Sequence, residues 1–313
     1  MNPMEDRSLH AAKIRPASRT APPARALGLA LRFVGLFALA LLCLKVGKSQ
    51  APVVSADVKI GYCGSVAQID LVKHAGFDYI DLRTSEVAEL NDADYAHMAA
   101  YLQQIQLPVL ATYQFLPGSV KVTGPNVDMD KQMAYVRLAL DRVSKLGAHV
   151  VAFGSGPARS YPAGFSKDQA YAQLVDFLKR VAPEARSRNI VIAVEPLRPQ
   201  ESNLINSLAE AQALITAVND PNIQLNLDYY QFEQVKEDPA DILAAGDHIV
   251  HIHFANPNGR ILPLVWKEYD YAPLFDNLRK IKYDREIGIE ANSNDFEHLA
   301  PQSIAFVRSA LLR

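Results

Sequence analysis

Cysteine is nearly absent: Cys43 and Cys63 are the only two in 313 residues. That rules out a disulfide framework and leaves the redox compartment unassigned. The glycine-rich first turn of a dinucleotide-binding sheet is also missing, because the first candidate turn reads Gly61-Tyr62-Cys63-Gly64-Ser65. A doubly wound open sheet thereby loses its usual mark. No internal repeat and no low-complexity stretch follows the N-terminal region. Excess positive charge is missing too, although the formal net charge of −2 hides an asymmetry. Residues 1–51 hold eight Lys or Arg against Glu5 and Asp6, a net of +6, so the remainder carries −8. A mildly acidic domain is a poor binder of nucleic acid, which needs Lys and Arg against phosphate.

A long uninterrupted apolar run is lacking as well. Met1 to Arg25 is basic and rich in Ala, Pro and Ser, without apolar periodicity. Ala26 to Leu44 is apolar apart from Arg32, and its unbroken part, Phe33 to Leu44, is short for a membrane span but suits the core of a secretory signal. Small residues between Ser49 and Ala56 offer Ser-Gln-Ala and Val-Ser-Ala as cleavage sites. Residues 1–51 therefore read as a leader that is cleaved on export to the periplasm or beyond. The alternative is an uncleaved N-terminal anchor, in which Arg32 snorkels to the membrane surface. Leu42 before Cys43 is not the small residue that lipidation requires.

With 49% hydrophobic and 21% charged residues, the rest has an ordinary globular composition able to bury a sizeable core. From residue 52 to 313, strand-like and helix-like segments alternate. Strands are predicted at Val58–Cys63, Phe77–Leu82, Val109–Phe115, His149–Phe153, Ile190–Glu195, Ile223–Asp228, Ile249–His253 and Glu286–Glu290. Helical patterns fall at Val66–His74, Asp92–Gln104, Met129–Leu146, Lys167–Arg186, Ser207–Val218, Pro239–Ala245, Tyr271–Ile281 and Pro301–Leu312. Eight strands each followed by a helix predict an α/β fold, a single (β/α)8 TIM barrel behind the signal or anchor segment.

The stretch NIVIAVEPLRPQESNLIN, Asn189 to Asn206, organises the rest. Its β-branched run ends at Glu195, and Pro196 stops the strand. A carboxylate leaving a barrel strand at its C-terminal end sits at the mouth, where such barrels keep their chemistry, although a strand-end salt bridge uses the same position. Asp228 in IQLNLDYY, His253 in IVHIHFANP and Glu290 in IGIEAN end the next three strands. Three carboxylates and one imidazole around one point repel unless a cation neutralises them. Oxygen-rich ligation with a single nitrogen suits Mn²⁺, with Mg²⁺ or Co²⁺ as alternatives, better than a structural zinc.

The segments EPLRPQESNLIN, IHIHFANPNGR and GIEA resemble those of the xylose-isomerase-like TIM-barrel sugar isomerases and epimerases, over about Val58 to Leu312. In motif they are most like the ketose 3-epimerases, distant relatives of endonuclease IV. The resemblance implies that Glu195, Asp228, His253 and Glu290 bind the metal and that Glu195 and Glu290 also serve as acid and base. It further implies substrate contacts at Glu201 and Arg260. The chain departs from the pattern at Gln231, where the family often has histidine: glutamine can hydrogen-bond a sugar oxygen but cannot shuttle a proton near neutral pH. It departs from the endonuclease branch in lacking that branch's extra histidines for three zinc ions.

Further substrate-binding candidates come from the residues themselves. The loop Phe153 to Arg159 offers open backbone amides and the Arg159 cation, suited to an anionic group or simply to a tight turn. Arg198 is placed to select an acidic substrate, and Trp266 and Tyr113 either stack on a sugar or pack. The expected chemistry is proton transfer next to a carbonyl of a small sugar or sugar acid, through a metal-stabilised enediolate. Epimerase, isomerase and dehydratase outcomes stay open, as does a non-catalytic exported carbohydrate-binding barrel. Nucleic acid is not an expected partner, the membrane is one only through an uncleaved leader, and nothing sets an oligomeric state. The order of basic region, apolar core and small residues predicts a mature chain that starts between Lys48 and Asp57, outside the cytoplasm. Intact-mass measurement from the native host checks this, and a full-length membrane-bound product would indicate the anchor instead.

Overall fold

A computed structural model describes residues 58–313; the leader, residues 1–51, lies outside them. The strands are β1 (Ile60–Gly64), β2 (Tyr79–Arg83), β3 (Ala111–Tyr113), β4 (Val150–Phe153), β5 (Val191–Val194), β6 (Ile223–Asp228), β7 (Ile249–Phe254) and β8 (Ile287–Ile289). They pair in parallel in chain order and close through β8 onto β1. This is the expected (β/α)8 barrel.

The strands are short, apolar and almost wholly buried, since helices cover their outer faces. Their ends lie mostly inside the predicted bounds; β3 keeps only three of seven predicted residues, Ala111–Tyr113. The long helices form where apolar residues recur at helical spacing and the ends are capped. Met129–Leu146 starts on Asp128, whose side chain accepts from Lys131 N–H, and stops at Gly147 with φ 103°. Lys167–Arg186 starts on Ser166 in the same way. The last helix runs Phe296–Leu312, beginning five residues before its predicted start and carrying Pro301 inside it. No helix among the described residues is long and apolar enough to cross a membrane.

Three short helices leave strands directly, at Thr84–Glu89, Gly156–Arg159 and Tyr229–Val235. They turn the chain at the C-terminal rim and so shape the mouth. Behind the rim, Glu237 accepts the Leu208 amide at 2.7 Å, holding the first turn of helix Leu208–Val218. Burial, helped by Asp241 and Glu210, raises the Glu237 pKa to about 7 despite that bond.

A carboxyl whose pKa is higher in the folded than in the unfolded chain stabilises most below its unfolded value, and this stability is lost as pH rises through the folded value. Between about pH 4.5 and 7 the Glu237 contribution therefore declines. Glu237→Gln keeps an acceptor for Leu208 and cannot ionise, so its melting temperature minus that of wild type should grow from pH 5 to pH 8. A difference that stays constant over that range would contradict this account.

Candidate metal and sugar site

The fold carries four side chains to one place at the C-terminal mouth. Glu195 follows β5, its amide donating to Phe153 carbonyl at 3.2 Å. Asp228 ends β6 and caps helix Tyr229–Val235, so that one carboxylate oxygen accepts Gln231 N–H at 3.1 Å and the other is left for the mouth. His253 lies beside Asp228 across the β6–β7 pair. Glu290 follows β8, its amide donating to Phe254 carbonyl at 3.1 Å. One donor atom from each of the four lies within 4.8 Å of the others.

The electrostatics of this cluster are severe. Burial, opposed by Arg260 and reinforced by Glu290 and Glu195, pushes the Asp228 carboxyl well above the usual carboxylate range. Burial also works against ionisation of Glu290, but Arg260 and His253 outweigh it and bring that pKa down to about 2. Burial disfavours a charged His253, yet Cys63 in the first place, then Glu195 and Glu290, hold its pKa well above the ordinary value. His253 Nδ1 lies 3.0 Å from Glu290 and 3.7 Å from Glu195, with the Asn226 amide nitrogen at 3.0 Å. Arg260 reaches across the mouth to Asp228 at 3.0 Å and Glu290 at 2.7 Å. Three acidic oxygens and one ring nitrogen converging under like-charge repulsion are the donor set of an oxygen-preferring divalent cation. The residues fit such an ion.

Arg260 stands on a tight hairpin after β7. Gly259 and Arg260 both adopt left-handed backbone, φ 92° and 52°, and Asn256 N–H closes the turn onto Ile261 carbonyl at 2.9 Å. Asn292 N–H then holds the Arg260 carbonyl at 2.7 Å. At the end of β4, Gly154 leaves room for Glu195, whose carboxylate would lie 2.5 Å from an added Cβ.

A cavity of about 420 Å³ opens over the cluster, lined by Glu195, Glu201, Gln231, Arg260 and Glu290 among others. A second, of about 260 Å³, shares Tyr113, Gln114, Arg260 and Glu290 with it and extends toward β1 and β2. Glu201 is fixed by Arg198 Nε at 2.8 Å and by the Gln231 side-chain amide at 2.9 Å. Gln231 also accepts Arg198 N–H at 3.0 Å. Sequence reasoning thus placed Glu201, Gln231, Arg260 and Tyr113 at the mouth, where they are.

Three other candidates are elsewhere. Arg159 is fully buried and does not line either cavity. Its guanidinium donates to the carbonyls of Phe153 at 3.1 Å and Glu195 at 2.7 Å, because chain leaving β4 and β5 presents carbonyls there that need partners. It clamps the strand end that carries Glu195 and is not a substrate ligand. Burial lowers its pKa to about 10. Arg198 faces Glu201 and Tyr230 instead of the cavities, so it positions Glu201. Trp266 packs edge-on against Tyr271, Phe275 and Phe306. Arg83, Ser85, Gln114 and Asn226 were missed; Arg83 and Gln114 sit at strand ends, the same signal that marked Glu195.

A parallel (β/α)8 barrel with an acidic, histidine-bearing cluster at its C-terminal mouth defines a class of barrel built to hold a cation beside a small ligand. The model of the xylose isomerase-like TIM barrel family matches residues 69–310, and the chain belongs to that family. It is 28% identical over 227 residues to the L-ribulose 3-epimerase of Methylomonas sp. (strain DH-1), covering 71% of this chain and 76% of that protein. It is 26% identical over 239 residues to the D-psicose 3-epimerase of Agrobacterium fabrum, covering 71% and 77%. A crystal structure of a D-psicose 3-epimerase in the presence of D-fructose superposes with a TM-score of 0.71 at 19% identity, covering 82% of this chain and 100% of that one. At that identity the superposition shows the fold alone.

After dialysis against Mn²⁺ the protein should retain one ion per chain. With the ion at about 100 times its dissociation constant, the melting temperature should rise by about 5–10 °C. His253→Ala should abolish both effects, and identical melting of this variant with and without Mn²⁺ is the diagnostic result.

Proposed function

We propose that the protein is a divalent-metal-dependent sugar epimerase or isomerase that moves a proton on the carbon next to a carbonyl, acting outside the cytoplasm or at the membrane. The observation that carries this reading is the convergence of Glu195 and Glu290, from the non-adjacent β5 and β8, on one buried cation-binding cluster under a sugar-sized cavity. The ketose 3-epimerase relatives support it.

A divalent cation held by Glu195, Asp228, His253 and Glu290, Mn²⁺ in the first instance, would supply Lewis-acid polarisation of the carbonyl and neighbouring hydroxyl. Everything else falls to the protein. One of the two glutamates takes the proton from the C–H, leaving an enediolate in the substrate. The other, on the opposite side, returns a proton to the same carbon and inverts it. Return to the adjacent carbon would instead make the reaction an aldose–ketose isomerisation. Glu201, locked by Arg198 and Gln231, accepts a sugar hydroxyl in a fixed direction. Arg260, paired with Glu290 at 2.7 Å, keeps that carboxylate ionised and able to accept.

A non-catalytic reading would lean on Gln231, which stands where the family pattern often has histidine. Its two side-chain hydrogen bonds support a role in positioning Glu201, one that needs no titrating group. A catalytic reading therefore accommodates Gln231 without loss.

Glu195→Gln and Glu290→Gln each keep a ligand oxygen and remove a proton acceptor. Each should still bind metal while epimerisation of D-psicose or L-ribulose, followed by NMR in D₂O, falls ~10²–10⁴-fold. The variant that lacks the base facing the departing proton should lose deuterium uptake altogether, and the other should keep part of it. Near wild-type turnover in both would end the two-glutamate mechanism, and loss of a β-hydroxyl in place of deuterium incorporation would identify a dehydratase.

A further inference from the structure

Arg83 is the one large cation at the mouth without an acidic partner among the described residues. Each acidic side chain nearby is already matched: Asp228 and Glu290 by Arg260, Glu201 by Arg198, Glu195 by His253. Asp81, one layer deeper on β2, lies 3.1 Å from His251 Nε2. Arg83 ends β2 and is its only residue that is not buried. Its sole side-chain hydrogen bond is NH2 to Tyr113 Oη at 3.3 Å, and its Nε–H is buried without an acceptor. A guanidinium left with an unmatched buried donor costs stability unless a ligand completes it.

The surroundings fit such a ligand. Arg83 lines the 260 Å³ cavity together with Gln68 and Asn292. Gln68 spends its side-chain oxygen on Ser65, which leaves its amide NH₂ as a donor, and the exposed Asn292 side chain has no protein partner among the described residues. Arg260 and Glu290 line the same cavity but are paired with each other, and Arg260 also with Asp228; one uncommitted cation flanked by neutral amide donors suits a singly charged planar acceptor better than a phosphate, which gathers several cations. This cavity joins the metal-side cavity through Tyr113, Gln114, Arg260 and Glu290. Gln114 is held at φ 49°, a left-handed conformation rare for its type.

We infer that the substrate is a sugar acid whose carboxylate docks on Arg83, Gln68 and Asn292 while its carbonyl end occupies the metal-side cavity. The inference rests on the proton-transfer reading for the second half of that statement only. It differs from the neutral ketoses named for the relatives.

Three probes share one carbon skeleton: D-fructose, D-fructuronate and D-fructose 6-phosphate. Calorimetric titration of the Mn²⁺-loaded protein should show D-fructuronate binding at least about tenfold tighter than D-fructose, the scale of one charge-assisted hydrogen bond. Arg83→Gln should remove that preference and leave D-fructose within about twofold, and Arg83→Lys, which keeps the charge without the fork, should restore part of it. Equal binding of D-fructose and D-fructuronate, an equal loss for both in Arg83→Gln, or Arg83-dependent binding tightest for the phosphate would each overturn the proposal. Deuterium exchange read by NMR on the same samples separates the two claims. Arg83-dependent carboxylate binding with no exchange on any probe sustains the pocket and counts against proton transfer. Exchange on D-fructose with no carboxylate preference does the reverse.

Discussion

Three carboxylates converging in a buried space is the constraint from which the rest of this barrel follows. Like charges at such separations cannot all ionise in low-dielectric surroundings without a counter-charge, and the chain answers at several levels. Arg260 spans two of the acids, and His253 stands against the other pair of contacts. Asp228 gives one oxygen to a helix cap. The glycine at 154 and the buried Arg159 serve the same end by different means, one by yielding space to Glu195 and the other by holding its backbone. A hairpin with two left-handed residues exists to deliver one guanidinium.

The site is layered. Glu195, Asp228, His253 and Glu290 form the floor, Glu201 and Gln231 one wall, and Arg83 with Gln68 and Asn292 the opposite side. The residues behind the walls matter as much as those facing the cavity. Arg198 lines neither cavity, yet together with Gln231 it fixes the direction of Glu201. The same holds for Asn226, which contacts His253 from two register positions away on β6.

Much of this was legible in the sequence because a barrel strand announces its end. An apolar, β-branched run that stops at a charged residue, as at Glu195, Asp228 and Glu290, has few placements other than the mouth. Strand count and closure followed from alternation. The ends of elements were less legible: β3 covers only Ala111–Tyr113, and on its C-terminal side Gln114 turns left-handed at φ 49° and takes the chain out of the ladder. Pro301 suggested a helix start, but the helix begins at Phe296 and carries the proline in its second turn, where the missing N–H leaves the Glu297 carbonyl without its helical partner. Arg159 misled because a charged residue in a glycine-rich loop signals exposure, and only the fold reveals the carbonyls that bury it. Arg83 closes YIDLR as a charged residue closes the other strands, but the predicted strand stops one residue short, at Leu82, because the apolar run ends there.

The Arg260 bridge carries a consequence for ion selection. A divalent ion held by this cluster would not enter a bare acidic well; it would share Asp228 and Glu290 with a guanidinium already tethered beside both carboxylates at high effective concentration. That internal rival sets a threshold, so ions that ligate weakly lose more of their occupancy than ions that ligate strongly.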